Sequence, residues 1–157
     1  MIVISDTSPA LNLAAVGQLT LLERLYGEVL IPPMVAEELG RNGLDLRTAE
    51  WLKVEAPEDA DAVRSLQKIL DPGESEAIIL AKERHADLLL IDERRGWKLA
   101  VQRGLSVTGL LGVLAEAKKR GLIEGCRPIL DEMTRVAGFW IGIDLRARYL
   151  AAMGEAD

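Results

Sequence analysis

The sequence contains one cysteine and one histidine, and each shortage closes a chemical route. Cys126 has no second thiol to pair with, so an intramolecular disulfide and a metal cage of paired thiolates are both excluded, and a reducing cytoplasm is the expected compartment. His85 has no histidine partner, which rules out hydrolysis by a histidine acid and base pair; it stands beside a charged helix end and reads as structural. Long hydrophobic runs are missing too. Stretches such as residues 86–91, broken by Asp87, fall far short of the roughly 20 residues that cross a bilayer, so no membrane span is expected. The opening MIVISDTSPA lacks a basic leader and reads as a first strand, so export is not expected. Positive charge is in deficit: 19 Lys and Arg face 25 Asp and Glu, a net charge of -6 with a pI near 4.9. A broad basic surface for nucleic acid is therefore excluded, unless acids gathered in one pocket are neutralised there by bound cations. There is no internal repeat, low-complexity tract or linker.

What is present is a chain of 157 residues, 49% hydrophobic, enough for one domain that buries roughly 70% of its unfolded surface. Its apolar pattern switches repeatedly between strand and helix periods. Strands are expected at residues 1–5, 29–31, 88–91 and 105–108. Helices are expected at 9–15, 19–26, 34–39, 59–70, 74–84, 93–103 and 110–120, several of them ending at a glycine. Residues 42–57 suggest a short helix near 48–52 and an extended piece at 53–55. Helices at 128–137 and 144–152, with an extended link at 139–143, complete the chain. Alternation of this kind predicts an α/β fold, a three-layer αβα sandwich with a mainly parallel central sheet. We expect a single domain over 1–157, with 122–157 as a C-terminal helical extension.

In such a sheet, ligands bind beyond the carboxyl ends of the strands. Asp6 and Asp92 both follow apolar strands at that edge. Either alone reads as a helix cap, since an acid there satisfies free N–H groups and the helix dipole. Glu74 opens a helix after Asp71-Pro72-Gly73, Glu76 points to a different side of it, and Glu37 and Glu38 share the helix after Pro33. Three or four carboxylates brought to one edge would repel one another unless a divalent cation compensates. Oxygen-only ligands favour Mg²⁺ or Mn²⁺, ions that polarise phosphoryl oxygens and activate water.

These residues form a recognisable pattern. VISDTSPALNLA resembles the first strand and turn of PIN domains, IPPMVAEEL the stretch with the second acid, and LDPGESEAIILAKERHADLLLIDERRG the stretch with the third and fourth. The chain is similar along its length, including VTGLLGVLAEAKKRGLI and GFWI, to predicted nucleic-acid-binding PIN-domain proteins related to VapC-type toxins. The resemblance implies a metal-dependent endoribonuclease, often the toxin of a type II toxin–antitoxin pair and usually a homodimer. It assigns catalysis and Mg²⁺ or Mn²⁺ binding to Asp6, Glu38, Glu74 and Asp92, with Ser8 in support; beside it, Thr7 is expected to help orient the Asp6 loop. Glu74 stands where many relatives have Asp, leaving Glu76 as an alternative third ligand, and Glu93 is an auxiliary candidate.

Arg94, Arg95 and Lys98 could meet substrate phosphates or simply form a solvated helix face. Trp51, Trp97 and Trp140 are scattered and carry no site assignment. Two other functions compete: a PIN fold that only binds a partner such as a small antitoxin, and a phosphoaspartate-type hydrolase. The second is disfavoured by Ser8, which stands where such hydrolases carry a second acid.

Overall fold

The structure, a computed structural model, describes residues 1–156. Five strands, β1 (Val3–Ser5), β2 (Val29–Ile31), β3 (Leu52–Val54), β4 (Leu88–Leu90) and β5 (Val107–Thr108), form one sheet in the order β3-β2-β1-β4-β5. Every pairing is parallel. The chain runs outward from β1 through β2 to β3, then returns to lay β4 on the other side of β1. A crevice therefore opens between the carboxyl ends of β1 and β4, where connections leave in opposite directions. Ser5 is in register with Leu90 there, and Asp6 N–H donates to the Leu90 carbonyl at 2.9 Å.

Strand residues alternate between two cores. Val3, Val29, Ile31 and Leu90 pack with α1 (Thr7–Ala15), α2 (Thr20–Tyr26), α3 (Pro33–Arg41), α7 (Leu110–Lys119) and α8 (Arg127–Ala137). Ile4, Leu30, Leu89 and Ile91 pack with α4 (Ala60–Leu66), α5 (Pro72–Glu83) and α6 (Arg94–Gln102). Both faces of the sheet are covered, which is why its strands read as unbroken apolar runs and why the architecture is a three-layer α/β sandwich. The last helix, α9 (Ile143–Ala152), brings Tyr149 against the first core. No described helix is long and apolar enough to cross a membrane.

Three local expectations change. The helix expected at 48–52 is replaced by a 3-10 turn at Leu46–Thr48, capped by Asp45, after which the chain enters β3. β3 overlaps the extended piece expected at 53–55; it is an edge strand with only Leu52 buried, so its pattern is weak. The helix expected to reach residue 70 stops at Leu66, and the turn that follows delivers Leu70 into the second core. Residues 139–142 form the link between α8 and α9, and Ile143, expected in that link, already opens α9; Thr134 Oγ1 donates to the Phe139 carbonyl at 2.9 Å.

Candidate active site

Strand ends supply two of the acids. Asp6 leaves β1 at the N-cap position of α1 in extended conformation, yet its side chain makes no capping bond. It is 5% exposed. Asp92 follows β4, and its carboxylate accepts from Leu110 N–H at 3.1 and 3.3 Å, so it is fixed by the helix that leaves β5. Gly109 permits this approach, because a methyl group there would overlap Asp92 Oδ1 and lie 3.3 Å from the Ile91 carbonyl.

Helix starts supply the others. Pro72 opens α5, Asp71 caps it by accepting from Glu74 N–H at 2.8 Å, and Glu74 is thereby set in the first turn with 3% exposure. Glu38 projects from α3, half-buried. Its Oε1 and Asp6 Oδ1 lie 3.2 and 3.6 Å from the point a methyl group on Gly73 would occupy, so the two carboxylates converge on the start of α5.

Asp6, Glu38, Glu74 and Asp92 line one open cleft of about 380 Å³, together with Thr7, Ser8, Leu11, Asp71 and Glu93. Glu93 is an exposed rim residue whose Oε1 caps α6 through Arg95 N–H at 3.1 Å. Glu76 lies outside this lining. Its Oε1 accepts from Met34 N–H at 2.8 Å and so caps α3. Ser8 is tied down by Asn12, whose amide donates to Ser8 Oγ at 3.1 Å and to the Ser8 carbonyl at 3.0 Å. Arg94, Arg95 and Lys98 lie on α6 outside the cleft lining. Asp71 is the acid that sequence reasoning missed as a site residue. Its spacing of three before Glu74 marks a cap, but no local signal says that the cap also faces the cleft.

Burial leaves three of these acids, Asp6, Glu74 and Asp92, hard to ionise. Burial pushes Asp6 up to about 7; the Thr7 N–H opposes this, while Asp71, Glu38 and Asp92 add repulsion. Burial also raises Glu74 to about 9, reinforced by the neighbouring Asp71 carboxyl and by Asp6 and Glu93. Asp92 rises to about 6 through burial, opposed by the Leu110 N–H. Glu74 Oε2 and Thr7 Oγ1 are buried without a hydrogen-bond partner. An unpaired buried carboxylate oxygen is costly, and a hard divalent cation is the partner such an oxygen-only set suits. Among the described residues, no three acids already form a closed coordination group. The fit to a divalent cation rests on the donor chemistry of the cleft, oxygen atoms only, with one of them buried and unpaired.

The chain matches the PIN-domain family model over residues 2–155. Among solved structures it is similar to a PilT N-terminus domain protein from the hyperthermophilic archaeon Sulfolobus solfataricus, with a TM-score of 0.55 and 20% identity. That match covers 74% of this chain and 93% of the other, and at such identity it speaks for the fold alone. No curated protein matches the sequence. The chain belongs to the PIN-domain family, whose members are generally nucleases that use divalent metal ions.

Proposed function

We propose that this protein is a metal-dependent endoribonuclease in which Asp6, Glu38, Glu74 and Asp92 hold one or two Mg²⁺ or Mn²⁺ ions. The observation that carries the reading is the meeting of carboxylates from four distant segments in one cleft, with a Glu74 oxygen buried and unpaired. A bound divalent cation supplies charge neutralisation, polarisation of a phosphoryl oxygen and activation of water. The protein's part is positional. Asp6 and Asp92 stand on adjacent strand ends, so their separation is set by the sheet. The Leu110 N–H fixes the orientation of Asp92. Asp71 sets the first turn of α5 and so the base of the Glu74 side chain, while Glu38 closes the cleft from α3. Thr7 and Ser8 orient the Asp6 loop, and Glu93 at the rim is an auxiliary ligand. Because Glu76 caps α3, we assign the third ligand to Glu74.

The test compares wild type with Asp6→Asn on single-stranded RNA, in Mn²⁺ and in EDTA. Cleavage by wild type in Mn²⁺ alone supports the proposal; equal cleavage by both proteins ends it. Titration calorimetry with Mn²⁺ separates a silent binding module, which would show no metal affinity. The resemblance to VapC-type toxins supports a cytoplasmic toxin held in check by a small antitoxin, so induced expression should arrest growth and Asp6→Asn should not. The exposed apolar surface of Val136, Trp140, Ile143 and Leu145 supports a homodimer, which light scattering of the purified protein would detect.

A further inference from the structure

A chain of net charge -6 needs some way to receive an RNA strand at an acidic cleft. The helix that begins at the cleft rim offers one. Within Arg94–Gln102, α6 carries Arg94, Arg95 and Lys98 and no acid, and Arg103 follows directly. Arg95, Lys98 and Gln102 recur at helical spacing and share one stripe. With Ile69, Leu70 and Leu99 they line a second groove of about 380 Å³. Ile69 is 53% exposed although apolar. Arg95 Nη1 donates to the Ile69 carbonyl at 3.2 Å, which holds the guanidinium across the groove with one of its five donors engaged.

Cleft and groove are neighbours along the chain in two places. Leu70 lines the groove and Asp71 the cleft; Arg95 lines the groove, while Glu93, which accepts from Arg95 N–H, lines the cleft. We infer that this groove seats a nucleotide flanking the scissile phosphate of single-stranded RNA, with Arg95 and Lys98 on backbone phosphates and a base laid on Ile69 and Leu99. The inference rests on the nuclease reading for the position of the cut, but strand binding can be measured without any cleavage.

The chemistry selects a single strand. Cations one helical turn apart, about 5–6 Å between Cβ atoms, suit successive phosphates, and the apolar floor suits the face of an unstacked base. In a duplex that face is buried in the stack. An acidic peptide could meet the cations, but its carboxylate side chains offer no flat apolar face for the floor of Ile69 and Leu99.

Fluorescence anisotropy with a short labelled single-stranded RNA in EDTA tests this, using wild type, Arg95→Gln, Lys98→Glu and Lys119→Glu. Lys119 is an exposed cation at the end of α7, away from the groove, and serves as the charge control. Arg95→Gln and Lys98→Glu should each weaken binding roughly tenfold and lower the slope of log affinity against log salt by about 0.7, the single-strand value per phosphate contact. Lys119→Glu should bind as wild type does, and duplex RNA of the same sequence should compete poorly. The assignment falls if wild type binds no RNA, if the groove variants bind normally, if Lys119→Glu is equally impaired, or if duplex competes as well. Strand that is bound through the groove yet left intact in Mn²⁺ would overturn the nuclease reading instead. Cleavage with unaltered binding by the groove variants would overturn the groove alone.

Discussion

Gly96 shows how closely α6 is drawn onto the acids. A methyl group there would overlap Glu74 Oε2 and lie 2.7 Å from Ile91 Cδ1, and neither can yield freely because Ile91 is fully buried and Glu74 nearly so. Gly96→Ala should therefore cost about 1–3 kcal/mol by overpacking and displace Glu74. Urea denaturation would read the first effect, and a loss of Mn²⁺-dependent cleavage larger than that of Gly40→Ala the second, since a methyl group at Gly40 meets open space. Near the C-terminus, Glu155 gathers Cys126 N–H at 2.8 Å, Arg127 N–H at 3.0 Å and Lys118 Nζ at 2.9 Å, supplying α8 with a cap that Cys126 does not provide. Burial opposes its charge, but these donors outweigh burial and bring its carboxyl from 4.5 down to about 2. A lowered folded value means stability that is complete above pH 4.5 and lost as pH falls toward about 2. Glu155→Gln should be less stable than wild type at pH 7, and denaturation across that window should show the gap closing with acid.

Helix α5 is the element on which site and fold depend together. It lies buried from Gly73 through Ala81, with Glu76 only half-buried among those residues, because α3, α4 and α6 pack around it as well as the sheet. Removing the Ile78 side chain beyond Cβ, where exposure is 0%, should cost roughly 2–5 kcal/mol by the cavity it leaves. The first turn of the same helix does two different jobs. Glu74 turns into the cleft, while Glu76 reaches back to the N-terminus of α3. Glu76→Gln should therefore keep cleavage and lose about 1 kcal/mol of stability at most, the worth of a cap. Glu74→Gln should lower cleavage by roughly a hundredfold or more, as removal of a group aimed at the reacting centre does. Comparable losses of activity in the two variants would show that the third ligand is wrongly assigned.

For the molecule as a whole, the proposed metal site predicts that stability depends on ions. A ligand that binds only the folded state adds about 2.7 kcal/mol at a hundred times its Kd, which for a chain of this length raises Tm by roughly 5–10 °C. Thermal scans should show Mn²⁺ raising the Tm of wild type well beyond that of Asp6→Asn, and EDTA reversing the rise. An equal response from both proteins would place the bound ions elsewhere. Charge is also sorted along that edge: six acids line the cleft, and the cations of α6 begin at its rim.

Local patterning was enough to reveal the alternation of strands and helices, the two-sided burial of β1, β2 and β4, and the order of Asp6, Glu38, Glu74 and Asp92 along the chain. These properties are local: burial on both faces writes an unbroken apolar run, and a helix start writes its cap within three or four residues. The edge strand β3 was less legible because two of its three residues are exposed. Four features became visible only in the folded chain: Asp71 faces the cleft, Glu76 is taken up by α3, Gly96 and Gly109 make room for carboxylates, and α6 borders a groove beside the acids. Those outcomes depend on how helices distant in sequence cross the sheet, and a geometry shared among several segments leaves no periodic trace in any one of them.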